Sequence, residues 1–272
     1  MKEFRRKEIQ KQANLFRDKC RVGNYGILNL FKECERNGFK LIRYPLGEKG
    51  ILGLLMKRDN DIILFTNTSS RLSREMFTLA HEIGHGILHV NGSSSFVDDA
   101  TTISGKHVDE KEQEANYFAA CLLMPSGKVD EFLDTEVENF ETQRLTTMDI
   151  ARMMSEFNVS FEMVLNRLEY LNKINFSEKT TLDTERMHNS VSKLLKSVGG
   201  NSRLNEVSKE IYIPYEFLNY VIYNYNHKSI PLETLEKALG YYDLTVEDIG
   251  DKIIDYSEDE VDLDELIGRL SN

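Results

Sequence analysis

The chain has 272 residues, 40% of them apolar and 29% charged, with six His, three Cys and no Trp. That length and balance suit one large domain or two modest ones with a buried core, and exclude a disordered, collagen-like or low-complexity chain. Thirty-four Lys and Arg stand against 45 Asp and Glu, a formal charge of −11, which opposes a purely electrostatic hold on nucleic acid.

Cys20, Cys34 and Cys121 are odd in number and fall inside apolar helical patterns, so they predict thiols in a reducing cytoplasm rather than a disulfide framework. The start, MKEFRRKEIQ, is basic but lacks the apolar stretch of a signal peptide. No run approaches the apolar length of a membrane span. The expected location is therefore cytoplasmic, with no membrane partner. Charge is uneven: residues 1–20 hold seven bases and three acids, whereas residues 251–272 hold eight acids and two bases.

In chain order, Phe4, Ile9, Ala13, Phe16 and Cys20 recur at helical spacing, and Asn24 precedes a second helical pattern through Ile27, Leu30, Phe31 and Cys34, with Gly38 as its stop. Three short runs rich in Ile, Leu and Phe follow, at residues 39–46, 50–57 and 62–67, divided by Gly or by the Asp59-Asn60-Asp61 turn. They predict a small antiparallel sheet. Ser69 or Ser70 is placed to cap a helix reaching about Val90, and the polar segment 92–109 reads as an exposed loop. From Glu110 onward nearly every run is helical in period, with breaks near Pro125, Asn158, Ser160, Gly199-Gly200, Pro214 and Pro231. The expected class is α+β: a metal-site domain over residues 1–130, then an all-helical half made of an extension at 131–180, a C-terminal helical domain at 185–250 and an acidic tail at 251–272.

The most informative residues are His81-Glu82-Ile83-Gly84-His85, inside the helical run FTLAHEIGHGILHV. Two His four apart project from one helix face, so both imidazoles reach one cation, and Zn²⁺ prefers nitrogen ligands in a tetrahedral cage. Glu82 then lies beside the metal, placed to take a proton. Leu79, Ile83, Ile87 and Val90 form the complementary apolar stripe. Gly84 in mid-helix costs roughly 1 kcal/mol relative to Ala, which predicts a neighbouring backbone packed close against it.

A catalytic zinc usually takes a third protein ligand. The HExxHxxGxxH pattern is excluded, because Leu88 and Asn91 occupy the positions of its Gly and last His. His89 lies two turns from His81, roughly 12 Å of rise, too far to share the ion, which leaves it a supporting or simply polar role. Downstream, in EKEQEANYFAACLLMP, Glu112 and Asn116 share a face with Ala115 and Ala119, whose small size lets this helix approach the first. Glu112 is the nominated third ligand and Asn116 the partner that holds an imidazole, with Glu114 on a different face as the alternative ligand.

FTLAHEIGHGILH followed by EQEANYFAACLLMP resembles the ImmA/IrrE family of intracellular metallopeptidases. The resemblance implies a zincin core and a protease whose substrates are helix-turn-helix repressors of mobile elements or stress regulons. The family's third-ligand position can be carried onto either Glu112 or Glu114, and helical facing favours Glu112. On this reading His81, His85 and Glu112 hold zinc and Glu82 accepts the proton of the attacking water. His107, Tyr117 and His188 are candidate oxyanion donors by chemistry, and the edge of the 62–67 strand is a candidate support for an extended substrate. The alternative is a non-proteolytic regulatory or antitoxin-linked binding module in which zinc is structural.

Two segments of the helical half have a helix-turn-helix outline. Thr146 and Asp149 can form a capping box ahead of DIARMMSEFNVSFEMVLNRLEYL, but its second helix offers Glu162 and Glu169 against Arg167 alone, a poor surface for phosphates, so packing is the expected role. Residues 203–249 look like a degenerate repressor-type unit with Ser208, Ile213, Leu218 and Leu232 at core positions. The expected basic helix is replaced by Tyr215, Glu216, Phe217, Tyr220 and Tyr223. These aromatics suit protein contacts or a small helical core, and direct nucleic-acid binding is not expected.

Overall fold

The computed structural model describes residues 1–58, 60–90, 109–138, 140 and 144–254, together with the backbone of residues 95–98. The chain begins with helix α1 (Glu3–Arg17), which buries Ile9, Ala13 and Phe16. Helix α2 (Leu30–Arg36) starts later than the Asn24 pattern suggests: Asn29 is the residue whose side chain accepts from the Lys32 N–H, and residues 22–27 form a short turn closed by a Val22–Ile27 bridge. Gly38 ends α2 with φ 92°, a conformation that favours glycine.

The sheet consists of β1 (Phe39–Tyr44), β2 (Gly53–Arg58), β3 (Asp61–Asn67) and β4 (Ser95–Asp98), in the order β1-β3-β2-β4. It is mixed, which corrects the antiparallel expectation: β2 pairs antiparallel with β3 and β4, but β1 runs parallel to β3. The residues joining β1 to β2, turning at Gly47 (φ 83°), leave a slot between those strands that β3 fills. Strand 62–67 consequently lies in the middle of the sheet and presents no open edge to a substrate. β4 occupies part of the segment expected to be an exposed loop, whose last residue, Asp109, is also described; residues 92–94 and 99–108, with His107, lie outside the described residues, as does the acidic tail from residue 255. Leu41, Leu55 and Leu64 point from neighbouring strands into one fully buried layer.

Helix α3 (Leu72–Leu88) packs on β2 and β3 and, on its other side, against helix α4 (Glu110–Leu123). Sandwiched this way, it buries nearly every residue from Ser73 to His85 instead of a single stripe. The expected Ser cap is not used: Arg71 precedes the helix without a side-chain cap, and the Leu72 N–H donates 2.8 Å to the Glu206 carbonyl. Gly84 does mark a close approach, but to a side chain rather than a backbone, since a Cβ there would stand 3.1–3.2 Å from the Phe118 ring of α4.

Helix α4 is braced at both ends. Asp109 caps its start by accepting from Lys111 N–H. At its end the buried Arg17 donates to the Leu122 carbonyl at 2.9 Å, and the buried Arg167 to the Met124 carbonyl at 2.9 Å. Guanidinium groups suit these positions, where orphan carbonyls gather the negative end of the helix dipole. A second buried anchor joins the start of α3 to the sheet. Arg43 donates from Nε to Glu75 Oε1 at 2.7 Å and from Nη2 to Oε2 at 3.1 Å, Thr66 adds a 2.9 Å bond to Oε1, and Arg43 Nη1 reaches Glu210 at 2.8 Å. Arg43→Ala leaves Glu75 buried with its charge unpaired and is expected to lower unfolding free energy by about 3–5 kcal/mol in guanidinium titrations.

The helical half continues with α5 (Ser126–Glu136), α6 (Thr147–Phe157), α7 (Phe161–Tyr170), α8 (Phe176–Met187) and α9 (Val191–Ser197). Thr146 and Asp149 form the expected capping box, and Asn158 turns the chain into α7 with φ 57°. Ile150, Ala151, Met153, Met154, Phe157, Val164, Leu165 and Leu168 join the same apolar core as α3 and α4. Arg167, the one base of the would-be recognition helix, is spent on the Met124 carbonyl and faces inward.

The chain divides into two compact units, residues 1–212 and 213–272. Among the described residues one apolar cluster holds side chains from Ile9 to Leu204. The second unit contains α10 (Tyr215–Asn226) and α11 (Leu232–Gly240) around Leu218, Val221, Ile222, Leu235, Ala238, Leu239 and Ile249. Leu218 is at the core as expected, whereas Leu232 is 44% exposed. Tyr215, Phe217, Tyr220 and Tyr223 are exposed rather than filling that core. Among the described residues no helix is long and apolar enough to cross a membrane.

Candidate metal centre

His81 and His85 sit one turn apart on α3, and α4 brings Glu112 opposite them. His81 Nε2 and His85 Nε2 are 3.0 Å apart; Glu112 places Oε2 3.2 Å from the first and Oε1 3.2 Å from the second. A tetrahedral ion with bonds of about 2.0–2.1 Å holds its ligand atoms about 3.3 Å apart, so this trio is spaced for one cation. The cluster is buried, with both imidazoles fully so. Burial alone pushes the Glu112 carboxyl up; where either imidazole carries a hydrogen on Nε2, its hydrogen bond and charge outweigh that push and hold the carboxyl at about 2, whereas toward a cation the same two atoms would present lone pairs. Glu112 is thus a carboxylate at neutral pH, as a ligand must be.

Asn116 Oδ1 lies 3.0 Å from His81 Nδ1, one turn along α4 from Glu112. An amide oxygen only accepts, so this contact is a hydrogen bond when His81 carries its hydrogen on Nδ1. Ala115 and Ala119 are fully buried, and their size is what lets α4 come this near to α3.

Glu82 is buried on α3, its two carboxylate oxygens shielded from solvent. It lies against β2: a Cβ at Gly53 would overlap Glu82 Oε1 and stand 2.6 Å from Thr78 Cγ2. Glycine at that position leaves the carboxylate its room. A strand glycine weakens a sheet unless something approaches its backbone closely, and here that something is the glutamate of the HExxH segment.

Glu114 lies away from the trio. Arg5 of α1 grips it with Nε to Oε1 at 2.7 Å and Nη2 to Oε2 at 2.5 Å, and its Oε2 also meets His89 Nε2 at 3.0 Å. The Arg5 guanidinium holds the Glu114 carboxyl at about 2 against the upward push of burial, with His89 adding to the effect. His89 in turn places Nδ1 2.9 Å from His85 Nδ1. Burial pushes His89 below its ordinary value, opposed by its hydrogen bond to the Glu114 carboxylate.

Tyr117 packs its ring 5.7 Å from that of Tyr170, and His188 is an exposed residue at the end of α8. Sequence alone does not single out Arg5 or Gly53. Arg5 is one base among several on a polar helix, and Gly53 one glycine of a strand, so neither carries a local signal.

A sheet-supported helix bearing HExxH, with a glutamate delivered from a second helix, defines a metallopeptidase-like domain. The profile of the Peptidase_M78 family, the IrrE N-terminal-like domain, matches residues 34–169, half of the chain, and the chain belongs to that family. The matched span contains β1 to β4, α3, α4 and every residue of the buried trio. An "Uncharacterized immunity region protein 2" of Bacillus phage phi105 is 35% identical over 80 residues, 29% of this chain and 48% of that protein. The chain thus spans about half the length of the curated relative it matches. The His81, His85 and Glu112 cluster is compatible with a metal ion.

Proposed function

We propose that the chain is a cytoplasmic zinc-dependent endopeptidase in which His81, His85 and Glu112 hold the metal, Asn116 orients His81, and Glu82 is the general base. The observation that carries this reading is the geometry of one buried trio with a second carboxylate on the turn between its two histidines. Structural zinc sites are closed by four protein ligands, whereas catalytic ones use three. Among the described residues three donors converge, which favours catalysis over a purely structural ion. Two nitrogens and one carboxylate are a common donor set for catalytic zinc, and hard cations such as Mg²⁺ favour oxygen ligands instead.

When bound, Zn²⁺ supplies Lewis acidity, polarising a carbonyl and acidifying water. The Glu82 carboxylate takes the proton of the attacking water and later delivers it to the leaving nitrogen of the scissile peptide. The dry surroundings of Glu82 strengthen both transfers, because charges interact more strongly out of water. The substrate proposed is a regulatory protein, such as a helix-turn-helix repressor of a mobile element or stress regulon. A relative named for a phage immunity region supports that setting.

The test uses purified full-length protein loaded with one equivalent of zinc and a peptide library spanning the host proteome. Cuts that vanish with a chelator and return with zinc are expected; an unchanged library at every metal load contradicts the reading. In the same assay Gly53→Ala should retain zinc affinity yet slow cleavage by about 10²-fold, the scale of a displacement of about 1 Å at a reacting group. Gly53→Ala combined with Thr78→Ser removes the Thr78 methyl but not the overlap with Glu82, so it should stay slow. Wild-type rates in the double variant would show that Thr78, not Glu82, was disturbed.

A further inference from the structure

Building on the metal reading above, we propose that His89, Glu114 and Arg5 are positioning residues that fix the proton on His85 Nδ1 and so aim its Nε2 lone pair into the metal site. The four side chains form one unbroken series across three segments. From the site outward it runs His85 Nδ1 to His89 Nδ1 at 2.9 Å, His89 Nε2 to Glu114 Oε2 at 3.0 Å, and Glu114 to Arg5 through two bonds of 2.5 and 2.7 Å.

The direction of each bond follows from its far end. Arginine only donates, so both Glu114 oxygens accept, and Glu114 remains an ionised acceptor. His89 Nε2 facing that carboxylate must carry the hydrogen. A neutral imidazole then has its lone pair on Nδ1, which accepts from His85. His85 Nδ1 is left as the donor and Nε2 as the unprotonated nitrogen that faces His81 and Glu112. His81 reaches the same state by a shorter route through Asn116.

Without these outer partners, the 3.0 Å approach of the two Nε2 atoms would be met by one of them taking up the hydrogen and bonding to the other, which closes the site to a cation. With them, two lone pairs converge and a cation relieves their repulsion. The arrangement explains why a second glutamate two residues beyond Glu112 is buried and ion-paired rather than solvated. It also gives α1, which contributes no atom to the trio, a direct part in metal affinity.

A double-mutant cycle on the full chain tests this, with zinc affinity read by competition against a chromophoric chelator and the site's spectrum read with Co²⁺. His89→Phe is expected to weaken zinc binding about 10–100-fold and to alter the Co²⁺ absorption bands. Glu114→Gln should weaken it several-fold in the wild-type background and not at all in the His89→Phe background, because its effect passes through His89. His89→Asn offers an amide oxygen near the place of Nδ1 and should recover most of the affinity. Wild-type affinity in His89→Phe overturns the proposal; so does an equal effect of Glu114→Gln in both backgrounds, or a His89→Asn protein as weak as His89→Phe. Failure of the functional reading looks different: tight zinc binding that follows this cycle in a protein that cleaves nothing would leave the proposal standing, and a wild-type chain that takes up no zinc would remove both.

Discussion

Glu82→Gln is expected to slow peptide cleavage by about 10²–10⁴-fold while leaving zinc content and melting temperature close to wild type, as measured on matched preparations of the purified protein. Glutamine keeps the size and shape of the side chain and removes its ability to take a proton. Glu82 donates no atom to the buried trio, so the metal should stay. Its burial against Gly53 makes the substitution a mild one for packing, because the amide occupies the same space. A Glu82→Gln protein that retains wild-type turnover would place the base elsewhere.

The second large effect concerns stability. A ligand that binds only the folded state adds about 4 kcal/mol at a thousandfold excess over its dissociation constant. For a unit of this size that raises the melting temperature by about 8–16 °C. Wild-type protein should show such a zinc-dependent rise. Glu112→Ala should lose it, since two imidazoles alone hold the ion poorly and the deletion opens a buried polar site between α3 and α4. Glu114→Gln should keep a zinc-dependent rise, reduced in proportion to its weaker affinity, which separates the two glutamates in one experiment. Equal loss in both variants, or a rise that survives Glu112→Ala, would contradict the assignment of Glu112.

Much of this site could be read from residue spacing because helices make spacing into geometry. His81 and His85 at i and i+4 had to share a face, and Glu112 with Asn116 repeated that logic on the facing helix, so the two helices could be docked on paper. Glu114 was ambiguous in sequence because adjacent helical residues differ by direction alone, and the structure separates them by their partners: the histidine pair for Glu112, Arg5 and His89 for Glu114.

Long-range pairings were harder. The parallel β1–β3 match depends on how the chain crosses between β1 and β2, which no run of Ile, Leu and Phe encodes. β4 lies in a polar segment whose composition reads as loop, and its pairing with β2 supplies what composition does not. The Arg43–Glu75 anchor and the Arg5–Glu114 pair join residues far apart in sequence, and charged residues on helices look alike until a fold brings one pair out of water. In the second unit the helical period identified α10 but not which face turns outward. Leu218, Val221 and Ile222 take the core, and Tyr215, Tyr220 and Tyr223 face solvent.

Whether Glu82 serves a regulatory protease is tested most directly by comparing new protein N-termini in host cells expressing the wild-type chain or Glu82→Gln at equal abundance. One or a few cuts are expected only with wild type, in a small regulatory protein, and reproduced by the purified zinc-loaded protein. Identical sets of N-termini in the two strains, with the wild-type protein shown to carry zinc, would contradict it.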